Sequence, residues 1–163
     1  MRFLLLVFAV VAAGCSSTRP SPPPWQSAPL TAVPEVYRTE FARAENRSSC
    51  ALIAFSDTGG VTNATPRRAN FSGGWAVAYD TTSQRSAFGI AGTGGDASGS
   101  TYQWANRRAW SDGSSVTWGL EGGTGPNHLA YLRIAGQSCL YNVWSALGQE
   151  HLEVLIEGIR FVR

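Results

Sequence analysis

From Cys50 to Ser145 the chain is written mostly in short stretches of apolar or alternating residues closed by glycine, and a stripe of helical period follows. CALIAF (50–55) is a compact apolar run stopped by SDTGG, the form of a strand ended by a turn. In WAVAYD (75–80), Trp75, Val77 and Tyr79 fall on one side and Ala76 and Ala78 on the other. The small side predicts a flat surface on which a helix can lie close. SAFGIAG (86–92) predicts a partner strand across DTTSQR. TYQWANRRAW carries Tyr102 and Trp104 at alternate positions, SVTWGLEGG carries Val116, Trp118 and Leu120, and HLAYLRIA and CLYNVWS add two further strands.

Helical signals flank this block. Pro34 suits a first helical turn, where its missing N–H has no intrahelical partner, and EVYRTEFARAEN follows with one apolar and one charged side, ending near Asn46. After Gly148, Leu152, Leu155, Ile156 and Ile159 recur at three- and four-residue spacing over 149–160 and demand an apolar surface to cover. The connections between strands are too short for parallel crossovers. These signals predict an α+β fold: a twisted antiparallel sheet of about six or seven strands, with N-terminal and C-terminal helices packed on one face.

The first residues follow a different rule. MRFLLLVFAVVAAGC opens on one basic residue, runs uncharged from Phe3 to Ala13 and reaches small residues before Cys15, a layout too short for a membrane-spanning helix. AAGC resembles the lipobox of bacterial lipoproteins. The resemblance covers this segment alone and implies cleavage before Cys15, with a diacylglycerol on its sulfur and an acyl chain on its amine. More than one chain matters, since a single acyl chain gives only reversible attachment. Ser16 stands where an aspartate would signal inner-membrane retention, so the same resemblance implies an outer-membrane anchor with the folded body in the periplasm.

Residues 16–34 hold six prolines and no apolar period, which predicts an extended spacer. The expected organisation is a signal over 1–14, a lipidated cysteine and tether over 15–33, and a single domain over 34–163, with Trp25 resting on the domain or near the membrane. With Cys15 taken by lipid in an oxidising compartment, Cys50 and Cys139 are left to pair with each other. No CxxC occurs, and His128 and His151 have no ligand spacing to either cysteine, so neither a metal nor any other cofactor is expected.

Charge and chemistry narrow the function only a little. The net charge is +2, with thirteen arginines and no lysine. Arg67-Arg68 and Arg107-Arg108 are its adjacent pairs, too small a footprint for nucleic acid. GTGGDASG (92–99) shares only glycine content with phosphate-cradling loops, yet Gly94, Gly95 and Asp96 could touch a partner. Trp75, Trp104, Trp110, Trp118 and Trp144 divide between core packing and an aromatic platform for glycan. Trp110, flanked by Arg107, Arg108 and polar turn residues, is the expected exposed one. Glu150, Glu153 and Glu157 are expected on a solvated helix face, with Arg160 balancing Glu157. No nucleophile elbow is present.

The expectation is a non-catalytic binding module, held in the bilayer through acylated Cys15, for an envelope protein, a secreted enzyme or peptidoglycan. The alternatives are a small periplasmic hydrolase built on His128 or His151 with a carboxylate, and an assembly lipoprotein that accepts a strand at an exposed sheet edge.

Overall fold

A computed structural model describes residues 20–71, 73–93, 104–123 and 127–163. In chain order it contains β1 (Gln26–Ala28), α1 (Glu35–Arg43), β2 (Ile53–Phe55), β3 (Thr65–Arg68), β4 (Trp75–Asp80) and β5 (Phe88–Thr93). Then come β6 (Asn106–Ala109), β7 (Ser115–Leu120), β8 (His128–Arg133), β9 (Leu140–Ser145), α2 (Gln149–Glu157) and β10 (Ile159–Val162). Cys15, Gly94, Gly95 and Asp96 lie outside the described residues, as does Tyr102.

Seven strands form one antiparallel sheet in the order β3-β4-β5-β9-β8-β7-β6. It joins two meanders, β3-β4-β5 and β6 to β9, through the β5–β9 pair. The expected α+β architecture is the one observed, with two differences in strand membership. CALIAF contributes β2 to a separate three-stranded sheet, β1-β10-β2. Its place in the large sheet is filled by β3, TPRR, which lacks an apolar run and contains a proline.

Register fixes which side chains share a face. Trp75, Val77, Tyr79, Phe88, Ile90, Leu132, Tyr141 and Val143 fall on one face, and all are buried. Tyr37 and Phe41 of α1 pack on Trp75, the Tyr79 hydroxyl donates to that of Tyr37 at 3.2 Å, and Phe55 of β2 meets Tyr79 and Phe88. His151 of α2 meets Phe88 edge-on at 5.0 Å. Both helices therefore lie on the face that carries the bulky side of WAVAYD, α1 over β4 and α2 over β8 and β9, the reverse of the expectation that a helix would seek Ala76 and Ala78. Large side chains bury more apolar area against a covering layer than alanines do, and that term decides the face.

The C-terminal stripe is split in two. Leu152, Leu155 and Ile156 are buried on α2, but Gly158 ends the helix and Ile159 begins β10, which lies between β1 and β2. IRFV is a β-branched and aromatic run that satisfies its backbone in a ladder, a change of period that four apolar positions do not reveal. Cys50 and Cys139 are disulfide-bonded. The bond joins the segment before β2 to the start of β9, and so ties the covering layer to the large sheet.

Candidate functional site

Among the described residues, the opposite face of the sheet carries no helix. Cross-strand partners Leu129–Trp144 and Tyr131–Asn142 from β8 and β9 form a four-residue floor there. Phe71 stacks on Trp144 with ring centroids 6.4 Å apart and planes 19° from parallel, while Ser86, Glu121 and Asn127 stand around the rim. Together they bound an open cleft of about 430 Å³, within the size range of small-molecule sites. The aromatic row continues along the same face through Trp104, whose ring lies 5.1 Å from that of Tyr131.

Each part of the cleft has a local cause. Trp144 lies flat because Gly89 sits beneath it on β5: a Cβ there would come within 2.2 Å of the indole. Gly119 does the same for Trp104, where a Cβ would approach to 2.1 Å. Asn142 is the exception on the floor. Only 8% of it is exposed, and its Oδ1 has no hydrogen-bond partner. A buried carbonyl oxygen left unpaired costs about 1–3 kcal/mol, so the residue opposes stability at this position.

The rim is held in unusual backbone. Ser86 has φ of +52°, a region that costs a non-glycine residue of order 1–3 kcal/mol and persists only when its surroundings impose it. They do so here. The Ser86 N–H donates to Asp80 Oδ1 at 2.7 Å, and its Oγ accepts from the Arg67 guanidinium, whose Nε reaches both oxygens of Asp80 at 2.9 and 2.8 Å. The Ser86 amide and the Arg67 guanidinium hold the Asp80 carboxyl below its usual range. Across the cleft, Asn127 Nδ2 donates to Glu121 Oε2 at 2.9 Å and closes the base of the β7–β8 connection.

The residues singled out from sequence are distributed differently. Trp110 is 4% exposed, a correction to its expected exposure. Trp25 packs edge-on against it at 5.0 Å and donates from Nε1 to Asp112 at 3.0 Å, so the supposed spacer covers the ring. Trp75 and Trp118 are also buried, whereas Trp104 and Trp144 line the helix-free face. Arg107 and Arg108 are exposed on edge strand β6 and take no part in the cleft. Arg108 reaches back to Glu157 and lies over Trp118. Arg160 turns instead to the backbone carbonyl of Glu157 at 2.8 Å. Glu153, expected in solvent, accepts from Gln149 and from Trp118 Nε1, and these bonds lower its carboxyl pKa.

His151 takes part in a pairing that its sequence position does not suggest. Its Nδ1 is 2.9 Å from Ser145 Oγ, and its Nε2 is 3.0 Å from the Thr58 carbonyl. That carbonyl can only accept, so Nε2 carries a proton, and in the neutral ring Nδ1 accepts from the serine. Ser145 is fully buried and also receives the Leu147 N–H at 3.0 Å. The group behind the imidazole is a backbone carbonyl where a hydrolytic triad has a carboxylate. The arrangement fastens the start of α2 to β9 and to the 57–61 loop.

No sequence signal marked Asn142, Phe71 or Ser86, because the cleft is assembled by strand register rather than by a motif. No family model, characterised protein or solved structure matches the chain.

Proposed function

We propose that the chain is a lipid-anchored binding module outside the cytosol, which recognises its ligand in the cleft of the helix-free face and performs no chemistry on it. The observation that carries this reading is the cleft floor: an aromatic platform raised on Gly89, next to a buried Asn142 whose Oδ1 is unpaired. Core packing has no use for either feature, and both suit a partner with an apolar face and a hydrogen-bond donor. The lipobox-like AAGC and the Cys50–Cys139 disulfide support a place on the envelope side of the membrane.

Among the alternatives, strand addition is the less favoured. The edge strands β3 and β6 are four residues each, and carry Pro66, Arg67 and Arg68 or Arg107 and Arg108, residue types that discourage a further strand. The binding reading is tested with the full-length chain in detergent, by co-sedimentation with purified cell-wall material and pull-down from solubilised envelopes. Specific retention that Trp144→Ala weakens at least tenfold is expected, as for a central aromatic contact. Absence of specific retention in both assays would overturn the proposal.

A further inference from the structure

The chemistry of the cleft narrows its ligand. We infer that it takes an uncharged saccharide containing an N-acetylated amino sugar, an inference that rests on the cleft being the binding site.

The acceptors around the cleft are the Glu121 carboxylate, Ser86 Oγ and, once its amide turns, Asn142 Oδ1, which is buried and unpaired as it stands. A matching ligand is rich in O–H and N–H donors. Among the described residues that line the cleft, Glu121 and Tyr131 are the ionisable ones, and the Glu121 carboxylate repels anionic ligands such as phosphates and uronates. The nearby Arg67 is already engaged by Asp80 and Ser86. Trp144 and Phe71 both line the cleft, and their aromatic surface accepts polarised C–H bonds, as on the flat side of a pyranose ring. Donor-rich, neutral and with one C–H face together describe a sugar.

The acetamido group follows from the floor. Leu129 and Asn142 occupy adjacent strands and diagonal positions of the four-residue tile, roughly 7–8 Å apart, so an apolar group and an amide share one face within reach of a single substituent. An acetamido substituent offers a methyl and an N–H in the same relation. The Asn142 amide needs only a turn about χ2, a broad two-fold torsion, to meet that N–H.

The test uses the full-length chain in detergent with two β-1,4-linked probes, an N-acetylglucosamine trimer and a glucose trimer, titrated by calorimetry and tryptophan fluorescence. Saturable binding of the acetylated trimer is expected, with the glucose trimer about tenfold weaker for want of one hydrogen bond and its apolar contact. Asn142→Leu removes the preference between the trimers while its unfolding midpoint stays level or rises, which separates lost recognition from lost folding. Equal affinity for the two trimers would overturn the acetamido assignment. If neither trimer binds while Trp144→Ala still releases the chain from cell-wall material, the saccharide class falls and the cleft stands. If neither trimer binds and retention is insensitive to Trp144, both readings fall.

Discussion

Gly89 decides the shape of the cleft although it touches no ligand position. A Cβ at this residue would lie 2.2 Å from Trp144 Cζ2 and 2.5 Å from the Val77 carbonyl oxygen. Neither the strand backbone nor an indole packed on it gives way cheaply. Gly89→Ala is expected to cost about 1–3 kcal/mol in urea-unfolding free energy and to change the Trp144 fluorescence. Asp80 makes a second residue-level prediction, in pH. Its carboxyl is held below the usual range by the Ser86 N–H first and by Arg67 next. A depressed folded pKa contributes stability above the unfolded value of about 3.9, and that contribution is lost as pH falls through the lower folded value. The Ser86 backbone signals in an NMR pH titration should therefore hold steady through mild acid and shift only below the ordinary aspartate range, and Asp80→Asn should abolish the shift. The alternation in CLYNVWS was legible, but the outward face of β9 was not. Tyr141 and Trp144 are both large and each pairs with a glycine of β5, Gly92 and Gly89, more than forty residues away, so nothing local separates the two faces.

Element existence was read more securely than element membership. The strands in WAVAYD, SAFGIAG, SVTWGL, HLAYLR and CLYNVWS and the helix over 149–157 follow their apolar periods, whereas β6 is the polar NRRA and leaves Trp104 outside the strand expected to carry it. β3 and β1 do not, since TPRR and QSA are edge strands whose side chains bury little, and a half-exposed edge imposes no alternation. β10 was hidden in the continuation of a helical spacing that its buried Ile159 happens to extend. The disulfide fastens these mismatched layers. It closes a loop of 89 residues, worth about 4–5 kcal/mol in the chain-entropy account. The Cys50→Ser, Cys139→Ser double variant is expected to lose stability of that order in chemical unfolding. The wild-type chain under strong reductant should unfold at the same denaturant concentration as the variant.

At the scale of the molecule, one sheet face is sealed by two helices and a small sheet, and the other is left to the aromatics. The seal depends on the segment before α1. Trp25 meets Trp110 and Phe161, Arg160 donates to the Pro24 carbonyl at 3.3 Å, and the Ser111 N–H donates to that of Ser21 at 3.0 Å. A chain starting at Val33 lacks β1 and this contact, leaving Trp110 uncovered and one side of β10 without a partner. Compared with a chain starting at Pro20, it is expected to lose about 2 kcal/mol from the indole alone and to self-associate in size-exclusion chromatography. Trp25→Ala in the longer chain should reproduce the loss of stability without the open strand edge.

The docking of Ser21 also sets a radius of action. If Cys15 sits in the lipid as proposed, Ser16 to Pro20 are all that remains of the leash, and five extended residues reach at most about 18 Å. Such a short mooring keeps the body near the headgroups and restricts its tumbling, so a ligand of the proposed kind must come down to the bilayer surface to be caught.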